Sequence, residues 1–227
     1  MIVTIVGAGR LAEGIAVRVL AGGCTVRLAD SEPGNALALA TLLAAAPGAG
    51  AAGWGRVEPD AGGGGLAGLL PGSDVVILAL PYPEGRRVAA EQGAALAGLI
   101  VVDTCSPVDF STFDALLTSP GVSAAEEIAR EVAGVIPPPR VVKAFSTTLP
   151  ATLMAGQAGG LPLDVFLAGD DATAKATVAA LVTAGGMRPV DAGPLRRARE
   201  LEALQLLHVT LQGPLGRDWA SAIKLLP

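Results

Sequence analysis

The chain has 227 residues, 51% hydrophobic, 3% aromatic and 16% charged, with a formal net charge of −5 from 16 basic and 21 acidic side chains. That length suits one domain, or a domain with a small lobe, and buries a core without disulfides or metals. The acidic balance argues against a nucleic-acid partner, and no apolar run approaches the ~18 residues that a membrane helix needs.

Strand-like and helix-like segments alternate along the first half, the mark of a parallel sheet covered on both faces. Ile2–Val6 reads as a buried strand ending in glycine, and Leu11, Ile15 and Val19 then recur at helical spacing. Gly22-Gly23 ends that helix, Thr25–Ala29 is the second strand, and Ser31-Glu32-Pro33 opens a helix running through Leu43. Pro47–Gly53 and Ala61–Gly65 read as loops around a short strand at Gly55–Val57. No strand leads into the glycine run, so it is a surface loop and not a phosphate cradle. Asp74–Leu80 is a buried strand, Pro83–Leu96 a helix and Leu99–Asp103 a strand. An irregular stretch leads to a helix at Ser123–Val132 and then to Ile136-Pro137-Pro138-Pro139, the best boundary in the chain. Beyond it, Arg140–Phe145, Leu163–Ala168 and Met187–Val190 read as strands. Asp170-Asp171 caps a helix over Ala172–Ala184, which Gly185-Gly186 ends. Leu195–Leu211 is an amphipathic helix with Leu201, Leu204, His208 and Leu211 on one stripe. The expected fold class is α/β, a Rossmann-type, doubly wound, mostly parallel sheet.

Gly7-Ala8-Gly9-Arg10-Leu11-Ala12 lies between the first strand and the first helix and reads G-x-G-x-x-A, a dinucleotide fingerprint. Gly7 allows the tight turn, Gly9 lets the backbone approach a pyrophosphate, and Ala12 keeps helix and sheet close. The helix N-terminus then offers free N–H groups to the phosphates. Asp30 ends the second strand, where a carboxylate accepts the adenosine ribose hydroxyls of NAD and repels the extra phosphate of NADP. Residues 31–35 contain no base. Arg10, across the turn, and Arg27, three residues before Asp30, are the basic groups that could offset that repulsion. These residues favour NAD and leave NADP open.

The chain resembles the NADPH-dependent reductases of the deazaflavin coenzyme F420, an NADP oxidoreductase family, over nearly its whole length. The resemblance rests on Ile5–Ala12, Val76–Pro81, Val141–Thr148, Ala168-Gly169-Asp170-Asp171, Arg188–Leu195, Glu200-Leu201-Glu202 and Ala222–Leu226. It implies a Rossmann domain over residues 1–139. A small C-terminal α/β lobe over 140–227 would complete a cleft and form a homodimer interface. It further implies hydride transfer between nicotinamide C4 and a deazaflavin ring stacked in that cleft. Ala8–Leu11 would hold the pyrophosphate, Asp30 and Ser31 the adenosine end, and Leu80, Pro81 and Ala144 the nicotinamide side. The chain departs from the family pattern in three places. Asp30-Ser31 stands where a basic pair is common, and Ser106 and Ser146 stand where the family carries asparagine. These departures keep other acceptors open: a flavin, an imine or a carbonyl compound. A non-catalytic dinucleotide-binding module is the remaining alternative.

Cys24 and Cys105 are the only cysteines and His208 the only histidine, so no metal site or disulfide scaffold is expected. No basic, cleavable leader precedes Ile2, so the expected location is the cytoplasm. His208 reads as a satisfied core or dimer-interface residue rather than a proton donor, Cys105 as an inert thiol, and Trp219 as a core-packing residue that could instead stack on a cofactor ring. Tyr82 could pack, flank the nicotinamide or give a proton. Arg86, Arg87, Arg196, Arg197 and Arg199 read as solvated helix faces, one of which could meet an anionic acceptor. The stripe at Leu201, Leu204 and Leu211 and the apolar segment Ala220–Leu226 suggest a homodimer.

Overall fold

The computed structural model describes residues 1–60 and 65–226; of the loop expected at Ala61–Gly65, residues 61–64 lie outside the described residues. In chain order the elements are β1 (Ile2–Val6), α1 (Arg10–Ala21), β2 (Thr25–Ala29), α2 (Pro33–Ala44), β3 (Val57–Pro59), α3 (Gly65–Leu69), β4 (Val75–Leu78), α4 (Glu84–Gln92), β5 (Ile100–Asp103) and α5 (Ala124–Glu131). They continue with β6 (Arg140–Lys143), α6 (Pro150–Ala155), β7 (Gln157–Ala158), β8 (Leu161–Pro162), β9 (Asp164–Gly169), α7 (Ala172–Ala184), β10 (Arg188–Gly193) and α8 (Ala198–Thr210).

Among the described residues, eight strands form one sheet in the order β10-β9-β6-β5-β4-β1-β2-β3. From β3 to β6 every pairing is parallel. β9 joins β6 antiparallel, and β10 follows β9 in parallel. Strands on both sides of residues 139/140 therefore belong to one continuous sheet. The order 3-2-1-4-5-6 places the topological switch point between β1 and β4, where a doubly wound sheet binds its ligand.

Both faces of the sheet centre are covered, and the central strands β1, β4 and β5 are accordingly mostly apolar. Val3, Ile5, Val75, Ile77, Val102 and Val142 face a core shared with α1, α2 and α7. Val6, Val76, Leu78, Val101 and Val141 face the opposite core, shared with α4 and α5. Register aligns the strand ends. Ala29, Val6, Leu78, Asp103 and Lys143 form one row across five strands, so the segments after them emerge side by side.

Local chemistry sets the helix ends. Asp171 caps α7 by accepting from the Ala174 N–H at 2.7 Å, and Ser123 and Glu126 form a reciprocal capping box on α5. The sequence reading missed α6. It is only six residues long, with Pro150 in its first turn and Gly156 in the left-handed region (φ 69°) behind it. The strand expected at Gly55–Val57 is displaced to Val57–Pro59. A third difference lies in α8, where Glu202, Gln205 and His208 are buried while Leu207 and Leu211 are exposed. Leu201 packs inside the chain with Phe166 and Ala168, so it does not need a partner to cover it.

Candidate dinucleotide and acceptor site

The first turn is shaped by two glycines for different reasons. Gly7 has φ 104°, and a Cβ there would lie 2.4 Å from the Ala79 carbonyl oxygen. Only glycine fits. Gly9 has an ordinary φ of −78°, and a Cβ there would meet nothing within 4 Å. Its glycine leaves a space the protein does not use, which is the cradle a pyrophosphate requires. The first hydrogen bond of α1 is from Glu13 N–H to Gly9 O at 3.0 Å, and no side chain caps this helix. The N–H groups at its start are therefore open to an anion. Ala8 is different, because its N–H is taken by Asp30 Oδ2 at 3.0 Å.

A cavity of about 720 Å³ opens on one side of the switch point, between Gly7, Asp30, Ser31 and Asp60 and, facing them, Leu80–Glu84 and α4. Asp30 Oδ1 accepts from Glu32 N–H and Asn35 Nδ2, both at 3.0 Å. Oδ2 has only the Ala8 bond, which leaves it a lone pair for a ribose hydroxyl. The charged lining is Asp30, Asp60, Glu84, Glu91 and Arg87, and Arg87 is bound to both Glu84 and Glu91. Arg27 does not serve this cavity. Its guanidinium is held by Glu58 at 3.1 Å and by the carbonyls of Leu69 and Pro71. Arg10 makes no hydrogen bond or ion pair among the described residues and lines the space on the other side of the turn.

That second cavity, of about 400 Å³, shares Leu80 and Pro81 with the first. Its wall includes Leu11, Phe110, Phe145, Leu149, Val209 and Trp219. Phe110 meets Phe113 edge-on with centroids 5.5 Å apart, and Phe113 meets Trp219 at 6.3 Å. Phe113, Phe145 and Trp219 all hold left-handed backbone (φ 55°, 61° and 59°), a strained conformation for an aromatic residue and typical of binding sites. Trp219 is 45% exposed at the cavity edge, which corrects the expectation that it is a core residue.

Beneath this cavity lies a charged cluster that sequence reasoning missed. Lys143 Nζ donates to Asp103 Oδ2 at 2.8 Å, Glu202 Oε1 at 2.7 Å and Cys105 O at 2.5 Å. All three charged side chains are fully buried. Burial alone would depress the ammonium pKa, but the two carboxylates outweigh it and hold Lys143 above its ordinary value. Burial pushes the Glu202 carboxyl up, while Lys143 opposes the shift. Glu202 also accepts the Ala124 N–H at the start of α5. The cluster thus ties β5, β6, α5 and α8 together around the loops that form the cavity floor. Asp103 and Lys143 are direct strand partners. Opposite charges ending two apolar strands were the available signal.

The remaining candidates fall as follows. Leu11 lines the second cavity and Ser31 the first. Ala144, expected at the nicotinamide side, is fully buried in the core and lines neither cavity; its neighbours Phe145 and Ser146 do. The Tyr82 hydroxyl donates to Glu127 at 2.7 Å. Burial and that carboxylate push its pKa up to about 12, which makes it a poor proton donor. Cys105 is buried, and burial with Asp103 holds its thiol well above the usual range. Arg86, Arg197 and Arg199 are ion-paired to Glu131, Glu200 and Glu126. His208 is buried with both ring nitrogens bonded. Among the described residues no group of three or more His, Cys, Asp or Glu is arranged to hold a metal ion, and no helix is long and apolar enough to cross a membrane.

A glycine turn at the switch point of a 3-2-1-4-5-6 sheet, with an acidic residue ending β2, defines the Rossmann class of dinucleotide-binding folds. Residues 2–107 match the family described as NADP oxidoreductase, coenzyme F420-dependent. An F420-dependent NADP reductase from Methanocaldococcus jannaschii is 32% identical over 142 residues, 61% of this chain and 61% of that protein. The metalloreductase STEAP3 of Rattus norvegicus is 28% identical over 204 residues, 90% of this chain and 36% of that protein. The chain spans less than two thirds of either relative. A crystal structure from Arthrobacter sp. fb24, provisionally assigned as an F420-dependent NADP reductase, has a TM-score of 0.77 at 26% identity and covers 99% of both chains. An imine reductase from Streptomyces aurantiacus, 19% identical and covering 96% of this chain and 64% of that one, shares the fold with a TM-score of 0.64.

Proposed function

We propose that the protein is a nicotinamide-dependent oxidoreductase that passes a hydride between NAD(P)H and a small acceptor, coenzyme F420 or a similar ring. The observation that carries this reading is the pair of cavities meeting at Leu80-Pro81 beside the open N-terminus of α1. A dinucleotide lying across Gly7–Ala12 would have its adenosine ribose at Asp30 and its nicotinamide at the second cavity. The nicotinamide supplies the hydride, and the chain's task is to hold the two rings in contact and exclude water. Residues 1–139 would carry the dinucleotide, and 140–227 would supply the far wall through Phe145, Val209 and Trp219. Exposed Leu207, Leu211 and Leu215 on and after α8 support a homodimer through that face.

Among the nicotinamide dinucleotides, the first cavity favours NAD(H). Four carboxylates and one doubly paired arginine line it, and a 2′-phosphate would bring about two more negative charges. Arg27 is committed elsewhere. The second reading, a flavin, imine or carbonyl acceptor, is favoured by Ser106 and Ser146, two hydroxyls lining the acceptor cavity. One assay separates these readings: NADH and NADPH are each titrated, then mixed with oxidised F420, FMN and a cyclic imine while absorbance is followed. Turnover of the deazaflavin supports the first reading, and turnover of another acceptor alone supports the second. Tight dinucleotide binding without any turnover would leave a binding module.

A further inference from the structure

The buried face of α8 carries a polar row, Glu202, Gln205, His208 and, one turn on, Gln212, where an amphipathic helix ordinarily buries leucines. Glu202 belongs to the Lys143 cluster. The other three form a separate network with Ser221 of the C-terminal segment. His208 Nδ1 lies 3.2 Å from Gln205 Oε1, and Nε2 lies 2.9 Å from Ser221 Oγ. An amide oxygen only accepts, so Nδ1 carries the proton. Burial lowers the His208 pKa, so the ring is neutral and its bare Nε2 faces the Ser221 hydroxyl, whose one proton it shares with Gln212 Oε1 at 3.0 Å. Gln212 Nε2 in turn donates to Ser221 Oγ and His208 O, both at 2.8 Å.

This network fixes the Gln205 amide. With Oε1 turned to His208, the NH2 end is left for the second cavity, which Gln205 lines. It has no hydrogen-bond partner among the described residues. Ser146 Oγ, on the same cavity, is also buried without a partner. The other hydroxyls there are engaged: Thr104 with Leu78 O, Ser106 with Ser146 O and Thr148 with Phe145 O. Two unpaired donors, an amide and a hydroxyl, therefore stand among aromatic and aliphatic side chains on this cavity, with the unpaired Arg10 guanidinium on the side of the glycine turn. A buried donor such as the Ser146 hydroxyl is costly unless a ligand pairs it, and the Gln205 NH2 stands on the same cavity to share that ligand.

We propose that Gln205, held by His208, is the specificity-determining residue of the acceptor cavity, where its NH2 donates to a carbonyl oxygen of a planar, carbonyl-bearing heteroaromatic ring. This inference rests on the proposed function and names the substrate class of that site. A ring of this kind suits the cavity in a second way. Hydride addition leaves negative charge that ring carbonyls can delocalise, and Gln205 and Ser146 would stabilise it where it develops. No Asp, Glu, Lys or His side chain lines the cavity, so a substrate that demands a proton from an enzymic acid, as an aliphatic ketone does, is poorly served.

The test titrates oxidised F420 and, separately, FMN into the full chain and follows quenching of ring fluorescence, with NADH and NADPH titrations as controls. The variants are Gln205→Leu, Gln205→Glu, His208→Asn and His208→Leu. Asparagine places an amide N–H where Nδ1 stood, whereas leucine removes it. Gln205→Leu should weaken ring binding about tenfold and Gln205→Glu further, with dinucleotide Kd values within about twofold of wild type. His208→Leu should lose several-fold, and His208→Asn should restore most of it. Ring binding unchanged in Gln205→Leu, or a wild type that binds dinucleotide but neither ring, overturns the inference and leaves dinucleotide binding standing. A wild type that binds no dinucleotide overturns the proposed function itself.

Discussion

The two cavities that meet at Leu80-Pro81 are built to opposite rules. The first is lined by charge: Asp30, Asp60, Glu84 and Glu91, with one arginine already neutralised by two of them. The second is lined mainly by aromatic, aliphatic and neutral polar side chains, with Arg10 its one charged lining residue among those described and the Asp103–Lys143–Glu202 cluster sealed away from it. A polar, hydroxyl-rich nucleotide end suits the first, and a flat ring suits the second. One glycine turn serves both because the row Ala29, Val6, Leu78, Asp103, Lys143 delivers all five strand ends to the same level. The contrast teaches where each cavity is vulnerable. The first depends on charged lining groups whose replacement changes binding, whereas the second also rests on a buried charged cluster whose replacement changes folding.

The largest expected effect follows from that vulnerability. Lys143→Met leaves Asp103 and Glu202 buried without their counter-ion, and should cost about 3–5 kcal/mol of stability by urea denaturation. A loss below about 1 kcal/mol would mean that the floor of the second cavity does not rest on this cluster. Next comes the anchor of the C-terminal segment. Asp164, its side chain fully buried, accepts from Arg188 Nε at 2.7 Å, Lys224 Nζ at 2.5 Å and Leu225 N–H at 3.0 Å. Asp164→Asn should cost about 2 kcal/mol and loosen Trp219, read as a red-shifted tryptophan emission. The same anchor sets an acid limit. Burial would raise the Asp164 carboxyl, but Arg188 and Lys224 prevail and depress it to about 2. A depressed carboxylate adds stability that is complete above its unfolded pKa, near 4, and is lost as pH falls toward 2. Asp164→Asn should flatten the stability profile over that interval, which thermal melts between pH 5 and 2.5 would show.

A smaller effect belongs to the first cavity. Asp30→Ala removes the carboxylate that meets the ribose, so NADH binding should weaken about tenfold while NADPH binding improves or holds. Isothermal titration of both cofactors measures this. If wild type binds NADPH tenfold tighter than NADH and Asp30→Ala changes neither, the assignment of Asp30 is wrong.

Most of the strand and helix order was legible in the sequence, for identifiable reasons. α7 was found at its observed bounds, Ala172–Ala184, because Asp171 and Gly185 punctuate it. The turn at Gly7 was legible because strand, glycines and helix stand in immediate succession. What was not legible depends on contacts distant in sequence. Alternation along β2 puts Arg27 on one face with Thr25 and Ala29, but only the fold shows Glu58 and the Leu69 and Pro71 carbonyls waiting there. α8 misled because its leucines suggest the buried face, whereas Lys143 and the C-terminal segment draw its polar residues inward. The spacing of Glu202, Gln205, His208 and Gln212 was the overlooked sign. Ala144 was placed at the nicotinamide side by resemblance, but the left-handed turn at Phe145 presents the next two residues to the cavity instead.

The central claim is that a dinucleotide lies across the turn between the two cavities, and Gly9 tests it most directly. Its backbone suits any residue and its Cβ would touch nothing in the protein, so Gly9→Val should leave the urea midpoint nearly unchanged. The added side chain would stand in the space reserved for the pyrophosphate. Titration of NADH and NADPH into the folded variant should show at least a tenfold loss for both. Wild-type affinity for either cofactor in folded Gly9→Val would contradict the account.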